Sequence, residues 1–561
     1  MVGISGYNAL DIIIFIMNKG MKQMKKMIAI WKPTLATCLT IYVLAACSSN
    51  GSTTGTASSP APSAATSASA SAAPATVGPK KEISITMMDR GQVATEEGSY
   101  ENNRWTKWIN ANSPATLNWV PVARNQYQAK LNTLVASGTA PDLIWEFDRN
   151  YLAQLANQGA IQPIDSYIEK YSTTYKKYLQ EHPELKSATT INGKMYALTS
   201  SRSPDAIVNH GIWIRQDWLD KLNLKAPTTV EELIEVAKKF KDADPDGNGK
   251  ADTTPIVFNG NAVQIMRAFF FTNENQWYLE EGKLKFGRTL DRYTDSLAFQ
   301  KTLFDQGLID KEYITDNNFQ RARQMWTTGK AGIYFGSWNM STEYADLMKN
   351  VPDAKMVPME PVSSKYGKNG LYQELPANVL VAFNSKMKED KIESAVKFMD
   401  WMLDKGWFTM RFGEENTHHK LINGVPQKID ADKFRKEVSY ANEYAVLSQW
   451  QVKPEWFPIM EAQDAVSQAY AKQKTASLEI NMKNKYRRDI AFSPDLPEVS
   501  QLIATFHPIA VQIETKIMTG GSSATPQQGM EELRKEWKRL GGDNVEKLAQ
   551  EWYEKNKDSL K

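Results

Sequence analysis

Between Glu82 and Trp145 the chain switches repeatedly between two hydrophobic periods, and this restricts its fold more than any other feature. Ile83, Ile85 and Met87 alternate with Ser84, Thr86 and Met88, which predicts a strand. Trp105, Trp108 and Ile109 predict a helix, and Leu117-Asn118-Trp119-Val120 a second strand. Tyr127, Leu131, Leu134 and Val135 recur at helical spacing, with Gly138 as the stop. Pro141-Asp142-Leu143-Ile144-Trp145 reads as a third, short strand. Strand–helix–strand–helix–strand order calls for parallel strands joined by crossover helices, an α/β architecture. The alternation runs to about residue 430. Beyond it the chain reads as mainly helical, with helices over 530–540 and 545–555. No internal repeat is visible.

Upstream of Lys80 the composition changes. Residues 48–80 are almost only Ser, Thr, Ala, Gly and Pro and cannot bury a core, so 47–80 reads as a disordered linker. Residues 1–46 hold Lys22, Lys25, Lys26 and Lys32, then the apolar run Ile41-Tyr42-Val43-Leu44, then Ala45-Ala46-Cys47. A basic start, an apolar middle, small residues and a Cys make up the order of a bacterial lipoprotein signal, and Leu44-Ala-Ala-Cys47 resembles its lipobox. The expectation is cleavage before Cys47, lipid such as palmitate on its sulfur, and a domain tethered to the extracellular face of the cell membrane. The apolar stretch is too short for a membrane span and is broken at Pro33-Thr34. A signal starting at Met21 or Met24 would be complete without Met1–Gly20, so translation is expected to begin there.

The net charge of +3 belongs to this leader. Residues 1–46 carry five Lys and one Asp, leaving 62 basic and 63 acidic side chains in the remainder, which argues against nucleic-acid binding. The two cysteines are Cys38 and Cys47, so a mature chain lipidated at Cys47 has no disulfide and no thiol chemistry.

Five segments in register carry a resemblance. They are Lys130-Leu-Asn-Thr-Leu-Val-Ala-Ser-Gly-Thr-Ala-Pro-Asp-Leu-Ile144, Gly159-Ala-Ile-Gln-Pro-Ile-Asp165 and Asn192-Gly-Lys-Met-Tyr-Ala197, then Trp213-Ile-Arg-Gln-Asp-Trp-Leu219 with Pro227-Thr-Thr-Val-Glu-Glu-Leu233, and Gly329-Lys-Ala-Gly-Ile-Tyr-Phe-Gly-Ser-Trp338. Together they resemble the family 1 extracellular solute-binding proteins, the capture subunits of carbohydrate importers powered by ATP. Phe412-Gly-Glu-Glu415 and the helical tail resemble the large Gram-positive branch related to alginate-oligosaccharide-binding proteins. At Asn416-Thr-His-His419 the chain departs from that branch, which often has Gly, a variable residue, His and an aromatic. The resemblance implies a periplasmic-binding-protein-like fold, with two α/β lobes joined by crossing strands and a ligand cleft between them. It implies a first lobe of 82–200 plus 380–424 and a second of 201–379 plus 425–561. Crossings are expected near 198–209 and 372–379, with a third after about Gly424. The implied partners are an oligosaccharide and the transmembrane subunits of an ABC permease. The chain is expected to be monomeric and to touch the membrane only through its lipid.

Asp242-Ala-Asp-Pro-Asp-Gly-Asn-Gly-Lys-Ala-Asp252 places hard oxygen donors at alternate positions with two Gly for a tight loop, which suits Ca²⁺. A register from Asp242 puts the Lys250 side chain into the coordination shell. A register from Asp244 uses Asp244, Asp246, Asn248, the Lys250 carbonyl and Asp252, and is preferred. It also matches the calcium loop of alginate-binding relatives, in which a Glu usually follows the last Asp where this chain has Thr253. Gly249-Lys250 is no phosphate loop, because Asp244 stands where the first Gly belongs and Ala251 follows the Lys.

No nucleophile motif stands out. Gly-x-Ser-x-Gly and His-Glu-x-x-His are absent, and His418-His419 read as surface residues. Sixteen Trp favour sugar capture, since flat rings stack on the apolar faces of sugars. Trp145, Trp277 and Trp338 are expected on loops after strands. Asp89, Arg90, Glu146 and Asp148 follow predicted strands, where open α/β sheets bind ligands. Arg202, Asn209 and Glu374 fall at the predicted crossings. No catalytic residue is assigned; the alternative is a secreted glycosidase with a carboxylate pair.

Overall fold

The computed structural model describes residues 80–316 and 319–557. The expected signal, Cys47 and nearly all of the linker lie outside the described residues.

Glu82–Asp89, Thr116–Ala123 and Leu143–Glu146 are strands that pair in parallel. Leu380–Phe383 joins this sheet antiparallel to Leu143–Glu146, and Ala197–Leu198 closes its edge. The helix Arg104–Asn112 starts at Asn103, whose side chain accepts the Trp105 and Thr106 amides while the Thr106 hydroxyl accepts the Asn103 amide. Such a capping box is worth about 1 kcal/mol. It sets the phase that turns Trp105 and Ile109 into the core.

The second sheet runs Met356–Pro358, His210–Arg215, Ala331–Ser337, Thr254–Phe258. Its strands send alternate residues to opposite faces. Ile212, Ile214, Ile256, Phe258, Ile333 and Phe335 face one apolar core with Phe240. Trp213, Val257, Tyr334 and Met356 face another with Trp326, Tyr344 and Tyr470. A third core sits on the hairpin Trp277–Glu280/Lys283–Phe286, covered by the helices Asp291–Asp305, Pro497–Thr519, Pro526–Arg539 and Gly542–Asn556.

The chain leaves the first sheet after Leu198 and enters the second at His210. The return stretch runs antiparallel beside it. Asn378 N–H donates to the Ser200 carbonyl at 2.9 Å, Arg202 N–H to Pro376 at 2.6 Å and Glu374 N–H to Ile207 at 2.8 Å. A third passage lies later than the expected boundary. Val438, Tyr440, Ala441, Tyr444, Val446 and Leu447 are buried in the first lobe's core, although everything beyond 424 reads from sequence as second lobe. Much of this segment is a 3₁₀ stretch (Ser439–Tyr444), so its apolar residues keep neither strand nor helix period and carry no cue to the lobe they join. The chain then recrosses against the first crossing. Ser448 N–H donates to Ser200 Oγ at 3.0 Å and Val452 N–H to Ser203 Oγ at 2.9 Å.

Candidate functional site

Two cavities of about 250 and about 180 Å³ lie where the lobes meet, and they share Phe147, Arg202 and Asn378. Phe147 follows the Leu143–Glu146 strand and is 36% exposed. Its ring stands edge-on to Trp145 at 4.7 Å, and the Arg90 and Arg202 guanidinium carbons lie 5.9 and 5.6 Å from its centroid. The loop is rigid below it. The Glu146 carboxylate accepts the Phe147 and Asp148 amides at 2.7 and 3.0 Å, and the Asp148 carboxylate caps the helix Arg149–Asn157. Burial raises the Glu146 carboxyl above its ordinary range, opposed by those two amides.

The larger cavity is walled by Asp148 and Arg149 of the first lobe and by Gln264, Asn273, Tyr372, Glu374 and Arg488 on the other side. Arg149 donates to the Ser187 and Thr190 carbonyls of its own lobe and pairs across the gap with Asp495. The Arg488 guanidinium donates to the Gln373 carbonyl and lies 5.3 Å from the Tyr372 ring. The Asn273–Trp277 loop reaches the cavity because Gly287 N–H donates to the Gln276 carbonyl at 2.7 Å, and a Cβ at Gly287 would strike the Asn273 and Gln276 carbonyls. The smaller cavity contains Arg90, paired with Glu443 at 3.0 Å, and Arg411 and Trp450. Burial raises the Glu443 carboxyl against the pull of Arg90, and lowers the Arg202 guanidinium against that of Glu374. The cleft therefore joins desolvated charges to aromatic surface, a combination that orients a polar ligand through hydroxyls and flat faces.

Of the residues singled out from sequence, Arg90, Trp145, Asp148, Arg202, Trp277 and Glu374 line these cavities. Asp89, Glu146, Asn209 and Trp338 line neither. Asp89 accepts the Gly91 amide, and Glu146 is fully engaged under its loop. The three Trp are not the open platforms expected of loop residues. Trp145 lies within a strand, Trp277 opens one, Trp338 follows one directly, and all are buried, because each packs at a strand end where neighbouring elements close over it. Trp277 packs at a tilt on Phe286 and edge-on to Trp537, with ring centroids 5.4 and 6.4 Å away. Trp338 packs on Phe457. His418 and His419 are also buried rather than surface residues. The first meets Glu437 at 3.1 Å, and the second meets the Phe412 carbonyl at 2.9 Å. Phe147, Gln264, Tyr372, Arg411, Glu443 and Arg488 went unread. Phe147 stands just past the apolar run that marks the strand, and no periodicity in the sequence separates it from the buried Trp145.

The acidic loop folds as a tight turn with Asp244, Gly247 and Gly249 at positive φ. Among the described residues no three acidic, His or Cys side chains converge as a metal site, so the expected set Asp244, Asp246, Asn248, Lys250, Asp252 is not assembled as a coordination shell. The Asn248 amide nitrogen donates to Asp246 at 2.7 Å and to Asp252 at 2.9 Å, and Lys330 pairs with Asp252 at 2.7 Å, so protein cations and dipoles hold the carboxylates. Asp244 Oδ1 and Asp246 Oδ1 are nevertheless buried without a hydrogen-bond partner. These two orphaned oxygens fit a hard cation.

Residues 95–407 match the model of the family described as bacterial extracellular solute-binding protein. The chain is 25% identical over 458 residues to lipoprotein LipO of Bacillus subtilis, covering 78% of this chain and 86% of that one. Over 232 residues it is 33% identical to the fructooligosaccharide ABC transporter substrate-binding protein FusA of Streptococcus pneumoniae, covering 38% and 43%. Among solved structures, the alginate-binding protein AlgQ2 without calcium ion superposes with a TM-score of 0.65 at 20% identity, covering 85% of this chain and 99% of that one. Two α/β lobes, a cleft at their junction and a family match over more than half of the sequence agree: the chain belongs to the bacterial extracellular solute-binding proteins, which bind their solute rather than transform it.

Proposed function

We propose that the chain is the lipid-anchored capture subunit of an ABC importer, taking an oligosaccharide by closure of its lobes and passing it intact to the permease. The observation that carries this reading is Phe147, an exposed ring in the cleft with two guanidiniums on its flanks, shared by both cavities. The sugar-binding names of FusA and AlgQ2 support the ligand class. Closing the lobes shifts the population toward the form that the permease recognises. The anchor is Cys47, and among the described residues no helix is long and apolar enough to cross a membrane. The test incubates purified protein with a panel of neutral and acidic oligosaccharides. A saturable rise in melting temperature with unchanged sugar is expected; new reducing ends would refute capture.

Within this reading the acidic loop takes Ca²⁺ through Asp244, Asp246, Asn248, the Lys250 carbonyl and Asp252, and the ion stiffens the loop. Extracellular modules bind Ca²⁺ at about 10⁻⁴–10⁻³ M. Ion at one to ten times its dissociation constant then adds only about 0.4–1.4 kcal/mol. A small drop in melting temperature with EDTA is expected. Identical curves in saturating calcium and in chelator would remove the ion.

A further inference from the structure

The smaller cavity has a wall rich in hydrogen-bond donors. Arg90, Arg202 and Arg411 line it, and among its lining residues Glu443 is the one carboxylate. Elsewhere the chain grips guanidiniums through two parallel bonds. Arg215 holds Asp217 through Nε and Nη2 at 2.8 and 2.6 Å, and Arg487 holds Asp489 in the same way at 3.0 and 2.7 Å. No such fork forms at this cavity. Arg90 Nε lies 3.0 Å from Glu443 Oε1 without the alignment of a hydrogen bond, and is buried with no other partner. Arg202 Nε donates to the Ala377 carbonyl at 2.7 Å, while its Nη1 stays 3.8 Å from Glu374. Arg411 Nη1 reaches Asn442 Oδ1 at 3.4 Å, and its Nη2 stays 3.6 Å from Asp205. Trp450, 6% exposed on the same wall, has its indole Nε1 buried with no partner.

Guanidinium and indole groups donate and never accept. A buried donor without an acceptor is costly, so such a wall favours a ligand group rich in acceptors. A sugar hydroxyl brings a donor of its own with its lone pairs. A carboxylate or a sulfate brings acceptors alone, and its oxygens match the planar fork of arginine. The charge balance points the same way. Burial lowers the affinity of Arg202 and Arg411 for their protons, and Glu374 and Asp205 stand too far off to offset it. An anion among the three guanidiniums supplies the missing compensation. Flat surface lies beside them: Arg90 and Arg202 flank the Phe147 ring, and the Arg411 guanidinium carbon lies 5.1 Å from the Trp450 ring.

We infer that the smaller cavity holds the anionic group of an acidic sugar, a carboxylate or a sulfate, between Arg90, Arg202 and Arg411, so that the captured oligosaccharide carries uronic-acid or sulfated residues. The inference rests on the cleft being the sugar site and narrows its ligand. Arg202 lines both cavities, so the charged residue sits beside its neighbour in the sugar chain along Phe147.

The test is calorimetric titration of the full mature chain with oligomers of galacturonate, guluronate and glucuronate, each beside its carboxyl-reduced neutral counterpart, and with a sulfated galactan oligomer beside its unsulfated form. At least one charged member is expected to bind about tenfold or more tightly than its neutral counterpart. The charged class that binds assigns carboxylate or sulfate. Arg411→Gln should cut that preference severalfold, and Arg411→Lys, which keeps the charge but not the fork, should restore it in part. The loose contacts of Arg411 make it the substitution least costly to folding, which the melting temperature checks; the comparison of charged with neutral sugars needs no variant. Neutral members binding as tightly as charged ones would overturn the anion site and leave sugar capture standing. A charge preference unaltered in both Arg411→Gln and Arg90→Gln would overturn the assignment to this cavity. No response to any sugar, charged or neutral, would overturn both readings.

Discussion

Phe147 shows how one side chain can be free to contact a ligand while its neighbours are not. Trp145 fills the core, Glu146 is spent on two backbone amides and Asp148 on a helix start, which leaves the Phe147 ring outward between Arg90 and Arg202. Phe147→Ala should leave the melting temperature of the sugar-free protein within a few degrees and weaken sugar binding about tenfold, a loss of about 1.4 kcal/mol. Calorimetric titration with a responsive sugar checks this; unchanged affinity would exclude the ring as a platform. The sequence located this loop, since a short strand ending near residue 146 is readable from its apolar run. It did not say which of four adjacent residues faces outward. That depends on where the strand stops and which carboxylate the turn consumes, and both are tertiary outcomes.

At the scale of elements, the first three strands and their helices were legible because each keeps one period along its length. The acidic loop was legible as a turn but not as a coordination shell, because Lys330 reaches it from 78 residues away. Of the Asn273–Trp277 wall only Trp277 was legible, since the loop is held by a glycine ten residues further on. Gly287→Ala forces a methyl group against the Asn273 and Gln276 carbonyls. Such crowding costs about 1–3 kcal/mol. The variant should lose both melting temperature and sugar affinity, because the same loop closes the third core and lines the cavity. Denaturant unfolding and titration on the one variant check both; loss of stability alone would show that the loop does not shape the site.

For the whole molecule, burial sets the response to acid. It lowers His210, His419 and His507 below the ordinary histidine value. The unfolded chain therefore takes up protons that the folded chain refuses once the pH falls below about 6.5, and stability should decline from there downward. A second loss belongs to Glu461. Burial alone would raise its carboxyl, but Lys474 and Lys428 outweigh that and hold it at about 2. Its contribution is complete above the unfolded carboxylate range near 4.3 and disappears as the pH falls toward 2. Urea midpoints measured from pH 7 to pH 3 should fall throughout; a flat profile between pH 6.5 and 5 would rule out the buried histidines as its cause.

The passage of Val438–Leu447 through the first lobe bears on how such a chain is made. Threaded outward from its amino end, the polypeptide must wait for roughly the last quarter of its length before the earlier half has all its apolar partners. A product truncated before residue 438 should remain loose in both halves, prone to proteases while export is under way.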